Sequence, residues 1–244
     1  MLSITLLLTA LVVGGSAVST LAPQVGCGGL PTHAQLQAAL KAARAADNGG
    51  CNLDMWGTVV NRSGEVSAVV FTGTDFGAQW PGRRVISAQK ANTANGFGLP
   101  GLALSTANLY TAVQPGGSLF GVQERNPVDV NVAYKGPASS WGQATDQLVG
   151  KRRGGVNVFG GGLALYDAAG VIVGAIGVSG DTSCAGHAIA WRTRSALRLD
   201  YVPGGVGAGG VDQITDSGAW SQPHCKDAAA EDAIVATLPA TRKT

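Results

Sequence analysis

Charged side chains are scarce in this sequence of 244 residues, and the basic ones do not form a large cluster. Charged residues make up 13% of the chain, about half of the roughly 25% that soluble domains usually carry. The formal net charge is +2, and only Lys151, Arg152 and Arg153 form a basic run. A nucleic-acid-binding protein normally presents a dense basic face with interleaved aromatic residues. We therefore expect no nucleic-acid partner.

The sequence also lacks the composition of a disordered or fibrous chain. Hydrophobic residues make up 45% of the chain, which is enough to form a core, whereas disordered chains are poor in such residues. The chain contains 37 glycines among 244 residues, a share of about 15% that is roughly double the average usage of about 7%. The composition therefore predicts one folded domain and excludes long-range disorder and a coiled coil.

Long apolar runs are missing except at the N-terminus, where Leu2 to Val18 carry no charge. The run then gives way to small residues that suit signal cleavage, after Ala17 or Ala22. We predict a signal peptide over residues 1–22, an exported protein that is periplasmic or secreted, and no other membrane contact. An uncleaved anchor is the alternative, because no Lys or Arg follows Met1.

The chain has four cysteines, an even number that favours disulfides in an exported protein. Four cysteines allow three connectivities. We predict the pairs Cys27–Cys51 and Cys184–Cys225. A zinc site formed by Cys184, His187, His224 and Cys225 is the alternative, although adjacent residues such as His224 and Cys225 seldom both reach one metal.

The predicted elements alternate between helices and β-hairpins. The first helix begins after Thr32, which forms a capping box with Gln35. This order of elements favours an antiparallel sheet flanked by helices, an α+β fold. The predicted hairpins cover residues 55–71 and 162–178, and the further helices cover residues 84–97, 102–113 and 184–199.

We assign residues 27–225 to a single domain. Within it, residues 124–155 are polar and irregular, and we interpret them as a surface insertion. Residues 202–244 are expected to be loosely structured and tethered by Cys225, with a C-terminal tail over residues 226–244.

Two segments resemble the GlcG/HbpS-type family of haem-binding (haem-degrading) domains, which also form the C-terminus of PduO proteins. Residues 86–97, ISAQKANTANGF, are similar to the helical "KA-x-TA-x-x-F" signature of the family. Residues 161–165 and 170–180, GGLAL and GVIVGAIGVSG, are similar to its "GG-x-P … G-x-VVGAIGVSG" signature. Ala164 departs from the usual Pro, and residues 181–187 replace the acidic cluster that commonly follows.

The resemblance extends over roughly residues 30–200 and implies a profilin-like fold, frequent homo-oligomers, and haem or a related tetrapyrrole as ligand in some members. The cysteines place the chain in an exported sub-branch of that family. We therefore predict an exported protein that binds haem or a related flat ligand. A small-molecule or haem-degrading enzyme is one alternative, and an oligomeric interaction module without a cofactor is another.

Potential haem ligands are few in this chain, which has three histidines, two methionines and cysteines that we expect to be oxidised. Haem iron is ligated by His, Met, Cys thiolate or Tyr. We select His187 as the iron ligand because Trp191, Arg192 and Arg194 follow it on the same predicted helix. A surface or hydrogen-bonded histidine is the alternative.

On the signature helix, Lys90, Thr93 and Phe97 share one face, because residues three, four and seven apart are neighbours on a helix. We predict that they form the opposite wall of the site, with Lys90 as a partner for an anion or a haem propionate. The alternative is a packed helix whose Lys90 caps a neighbouring carbonyl or pairs with Asp75.

Overall fold

The computed structural model describes residues 29–244 of the chain. The predicted signal peptide and Cys27 lie outside the described residues. The predicted Cys27–Cys51 bond therefore also lies outside them. Between residues 29 and 244 no helix is both long and apolar enough to cross a membrane.

Four antiparallel strands form one sheet in the order β2-β1-β4-β3. Both predicted hairpins are present, and each turn contains a glycine with positive φ, Gly64 at 78° and Gly170 at 72°. The turn sequences therefore determine both hairpins locally. The strands are β1 (Trp56–Asn61), β2 (Val66–Phe71), β3 (Gly162–Tyr166) and β4 (Ile172–Ser179).

The helices begin where the sequence provides caps. Thr32 and Gln35 form the predicted capping box at the start of the first helix. Thr182 caps α4 by accepting a hydrogen bond from the Ala185 N–H, and Asp227 caps α5 in the same way. The helices are α1 (His33–Ala45), α2 (Gly82–Phe97), α3 (Val130–Ala133), α4 (Ser183–Ala196) and α5 (Ala228–Ala236).

The helices lie on both faces of the sheet. On one face α1 and α4 pack together over the strands, and their buried side chains form a core with those of β3 and β4. On the other face α2 packs closely across β1 and β4. A Cβ atom at Gly177 would lie only 1.8 Å from the Ser87 carbonyl oxygen, so glycine is required for this approach. The predicted α+β class is confirmed.

The helix predicted over residues 102–113 is wrong. This segment consists of turns and ends in a 3-10 turn at Thr111–Val113. Its polar side chains bond to the backbone instead of facing solvent: Asn108 donates to the Gln213 carbonyl at 3.0 Å, and Thr106 donates to the Phe159 carbonyl at 2.8 Å. Ser, Thr and Asn compete with the helical hydrogen-bond pattern in this way.

Residues 124–155 are irregular, as predicted, apart from the single turn of α3 and a 3-10 turn. The segment is nevertheless anchored in the interior. Asp146 forms a salt bridge with Arg84 of α2, with an Nε–Oδ2 distance of 2.9 Å, and both side chains are buried. Leu148 is also fully buried against the core next to α2.

The expectation of a loosely structured C-terminus is wrong. Residues 228–236 form α5, and Asp212 makes a bidentate, fully buried salt bridge with Arg194 of α4 at 2.6 and 2.8 Å. The predicted Cys184–Cys225 disulfide is present, with an S–S distance of 2.07 Å. We call residues 208–238, which lie over α4, the C-terminal cover.

Candidate functional site: the cavity beside His187

A cavity of about 210 Å³ lies between α4 and the C-terminal cover. Its apolar walls come mainly from the cover, and α4 contributes Cys184, His187 and Ala188 to the lining. Apolar pockets with a few convergent polar groups are the usual form of small-ligand sites. The apolar side chains of the cover in this wall are Ala208, Ile214, Pro223, Ile234, Val235 and Leu238.

His187 is completely buried at the wall of this cavity. Its Nε2 lies 2.9 Å from the Gln213 side-chain oxygen, which also accepts the Ile214 N–H at 2.9 Å. The Ile214 N–H also lies 3.2 Å from Nε2. Because the Gln213 oxygen is the nearer acceptor of that N–H, we assign the imidazole proton to Nε2. Nδ1 is then an acceptor, and it has no hydrogen-bond partner among the described residues.

Burial keeps this imidazole neutral. It lowers the pKa of His187 from 6.5 to about 4, and the neighbouring charge of Asp212 opposes the shift only in part. A neutral imidazole is the form that ligates metal ions. His187 therefore has the protonation state of a ligand near neutral pH.

Trp191 and Arg192, the other residues predicted on α4, contact the C-terminal segment and do not line the cavity. Trp191 donates its Nε1–H to the Pro239 carbonyl at 2.8 Å, and its ring centroid is 5.8 Å from that of His187. Arg192 donates to the Thr237 hydroxyl at 3.1 Å. Both side chains thus hold the C-terminal segment against α4.

Lys90 is also completely buried, and its contacts are those of a carbonyl cap. Its Nζ donates to the Gly160 carbonyl at 2.6 Å and to the Val178 carbonyl at 3.2 Å, and it lies 4.8 Å from the centre of the Phe159 ring. Burial lowers the pKa of Lys90 from 10.5 to about 7, and the charge of Arg83 adds to the effect.

The two other residues predicted on the face of α2 make packing contacts. Thr93 donates to the Gln89 carbonyl at 2.8 Å and accepts the Asn157 N–H at 2.9 Å. Phe97 is half-buried against an apolar cluster that includes Leu104.

The helices that carry Lys90 and His187 lie on opposite faces of the sheet, so the structure does not bring their faces together. Lys90 nevertheless reaches the start of α4, since a Cβ atom at Gly186 would lie 3.8 Å from its Nζ. Both side chains also lie close to Gly160, just before β3. The Gly160 carbonyl accepts from Lys90, and a Cβ atom at Gly160 would lie 3.1 Å from the His187 Cβ. The Gly160 N–H donates to Gln222 of the cover at 2.6 Å.

The polar rim of the cavity is acidic. Asp216, Glu231 and Asp232 line it, and His224 lies between the two aspartates, 3.8 Å from Asp216 and 2.9 Å from Asp232. The hydrogen bond to Asp232 raises the pKa of His224. Lysine and arginine are absent from the lining.

Among the described residues, one group of potential metal ligands lies close together, but its ligand atoms are already bonded to other groups. Cys184, Cys225 and Glu231 have potential ligand atoms within 4.8 Å of one another. The two sulfur atoms are joined in the disulfide, and the Glu231 carboxylate accepts the N–H groups of Cys225 and Lys226 at 2.9 and 2.8 Å. The structure therefore favours the disulfide over the zinc alternative.

Sequence reasoning did not identify the residues of the cover. Gln213, Gln222 and Glu231 lie in the segment that we expected to be loosely structured. The alanine-rich run after Asp227 is a helix signal that indicates α5. No local pattern predicts that Gln213 bonds to His187, because that contact joins residues 26 positions apart.

The cavity in this closed form does not fit haem. His187 would be a suitable ligand by its chemistry, but its Nδ1 is shielded from solvent. The volume of about 210 Å³ lies below the range of about 300–1,000 Å³ for sites that enclose larger ligands. The acidic rim would also repel the propionates, since the lining supplies no lysine or arginine.

Two solved structures are similar to part of this chain. The crystal structure of the Klebsiella pneumoniae protein ORFY, of the DUF336 family, is 24% identical, with a TM-score of 0.45, and the match covers 68% of this chain and 87% of that one. A crystal structure described as a PduOC:heme complex is 20% identical, with a TM-score of 0.46, and the match covers 67% of this chain and 89% of that one.

A search of the curated proteins returns no match. The family model described as "Haem degrading protein HbpS-like" matches residues 32–194, from the cap of α1 almost to the end of α4. This match covers more than half of the sequence and includes both segments on which the resemblance was based. The chain therefore belongs to the family of HbpS-like haem degrading proteins.

Proposed function

We propose that this protein is exported and binds haem or a related tetrapyrrole. Membership of the HbpS-like family is the observation that carries the proposal. The buried, neutral imidazole of His187 supports it, because it has an acceptor nitrogen without a partner among the described residues and lies beside apolar side chains. The uncharged run at residues 2–18 supports export, and N-terminal sequencing of the secreted protein tests it.

Haem binding at His187 requires the C-terminal cover to move, since the closed cavity is too small. The cover is held to α4 by the Cys184–Cys225 disulfide and by the Arg194–Asp212 salt bridge. We therefore expect the protein without this disulfide to bind haem more tightly than the protein that contains it.

A haem titration followed at the Soret band tests this proposal. It compares the mature protein with C184S/C225S, each with and without His187→Ala. We expect saturable one-to-one binding that is tighter in C184S/C225S, and a shifted Soret band with at least about tenfold weaker affinity when His187 is replaced, equivalent to about 1.4 kcal/mol. His33→Ala is the control, because His33 bonds to the Gly142 carbonyl, away from the cavity.

An unchanged spectrum and affinity in the His187 variants would remove His187 from the proposal. Broad, non-saturating spectra in every form would overturn haem binding itself.

Haem degradation is a second candidate function, and the description of the matching family favours it. Loss of the Soret band over minutes in the presence of a reductant would support turnover, whereas a spectrum unchanged over hours would oppose it. Lys90 is enclosed by two carbonyl groups, so a catalytic role for it would require α2 to separate from β4.

A further inference from the structure

We propose that the closed cavity beside His187 binds a small organic cation, an ammonium group attached to a short apolar body. The proposal concerns the closed form of the protein and is independent of haem binding. It rests on the charges at the rim, the apolar walls and the size of the cavity.

The charges at the rim select a cation. Asp216 and Asp232 are exposed to 55% and 70% of their side-chain surface, so both carboxylates reach the solvent at the cavity mouth. Glu231 adds a third carboxylate, and no lysine or arginine of the lining opposes them. Charges of one sign around an apolar recess concentrate ligands of the opposite sign. Even with His224 protonated, the carboxylates of the lining remain in excess.

The walls and the volume determine the rest of the ligand. Ile214, Ile234, Val235 and Leu238 present apolar surface, which favours an apolar body. A volume of about 210 Å³ is below the range of about 300–1,000 Å³ for drug-sized ligands. The ligand is therefore a small amine and not a macrocycle.

The ammonium end of the ligand lies at the rim and not at His187. That side chain is fully buried and its Nδ1 is shielded from solvent, so a ligand in the closed cavity does not reach this nitrogen. A primary ammonium brings several N–H donors, which suit the exposed carboxylates of Asp216 and Asp232.

Calorimetric titration with three ligands of similar shape tests the proposal: phenethylammonium, 2-phenylethanol and 3-phenylpropionate. We expect saturable binding of the ammonium ion, at least about tenfold weaker binding of the alcohol, equivalent to about 1.4 kcal/mol, and no binding of the carboxylate. Binding of the ammonium ion should also weaken as the salt concentration rises, because the rim carboxylates are exposed.

Two variants locate the site. The double variant D216N/D232N keeps the shape of the rim and removes two charges, and we expect at least about tenfold weaker binding of phenethylammonium, equivalent to about 1.4 kcal/mol. Val235→Trp, at a half-buried position of α5, should block the cavity and abolish binding. Glu124→Gln removes an exposed carboxylate of the 124–155 segment and should leave binding unchanged.

Equal binding of the ammonium ion and the alcohol would overturn the proposal, as would a lack of ammonium binding at millimolar concentration. Unchanged affinity in D216N/D232N or in Val235→Trp would also overturn it. The haem titration is a separate measurement on the same protein. A failure to bind haem and a failure to bind the ammonium ion can therefore be told apart.

Discussion

Lys90 and His187 are both completely buried, and no carboxylate is hydrogen-bonded to either of them. Burial is the largest cause of the lowered pKa in both, and the charge of Lys90 contributes to the lowering at His187. They differ in how their polar atoms are satisfied. Lys90 donates to two carbonyls, whereas His187 has an acceptor left over. This difference favours His187 as the ligand-binding residue and gives Lys90 a role in joining α2 to β4.

The sequence allowed two interpretations of Lys90, a site wall or a carbonyl cap, and could not decide between them. The spacing of Lys90, Thr93 and Phe97 correctly places them on one face of a helix. Whether that face meets a ligand or the sheet depends on Gly160 and Val178, which lie 70 and 88 residues further along the chain. Helical periodicity carries no information about such partners.

The lowered pKa of Lys90 predicts a stability that rises with pH. With a folded-state pKa of about 7 and an ordinary value of 10.5, the unfolded chain holds the proton across this interval and the folded chain does not. The free energy of unfolding should therefore increase by about 3 kcal/mol between pH 7 and pH 9.5 through this group. In Lys90→Met this contribution should disappear, as measured by urea unfolding at the two pH values.

Lys41→Met is the matched control, because Lys41 is an exposed lysine of α1. It should keep the pH dependence of the parent protein. The same pH dependence in Lys90→Met as in the parent would show that Lys90 is not the group responsible.

At the scale of elements, the sequence predicts best where the determinants are local. The capping box of α1 and the glycines in the two hairpin turns act within a few residues, and these elements are as expected. Residues 102–113 have apolar residues at helical intervals but do not form a helix, because their polar side chains bond to residues as distant as Gln213 and Phe159. Long-range polar contacts of this kind override the local pattern.

The position of the 124–155 segment also depends on a contact between residues that are distant in the sequence, Asp146 and Arg84. Asp146 pairs with Arg84 and also accepts the N–H groups of Gly142 and Leu148 at 2.8 and 2.9 Å. Asp146→Asn leaves the Arg84 guanidinium buried without a counter-charge, which typically costs about 3–5 kcal/mol. Chemical denaturation should show a loss of this size in the free energy of unfolding.

Glu65→Gln is the comparison for an exposed pair. Glu65 lies 3.5 Å from Arg152, and both side chains are substantially exposed, so the expected loss is below about 1 kcal/mol. A loss in Asp146→Asn no larger than in Glu65→Gln would mean that the segment is not anchored by the buried salt bridge.

For the whole molecule, the cavity is formed by two parts of the chain, one inside the matched family region and one after it. The matched family region ends at residue 194, so it supplies α4 and His187, whereas most of the cavity wall comes from residues after it. The family resemblance could therefore predict the sheet but not the cover that encloses His187. The apolar walls and the acidic rim of the cavity therefore come mainly from the part of the chain that the family model does not match.

The disulfide should control whether the cover stays on α4. Cys184 lies in the first turn of α4, and Cys225 lies 41 residues further on, in the cover. Removing both cysteines as C184S/C225S should lower the free energy of unfolding by about 2–4 kcal/mol. Hydrogen exchange should then accelerate more in residues 208–238 than in β4, because the cover loses its covalent attachment while the sheet keeps its contacts with α2. An equal acceleration in both would mean that the bond stabilises the fold as a whole and does not hold the cover closed.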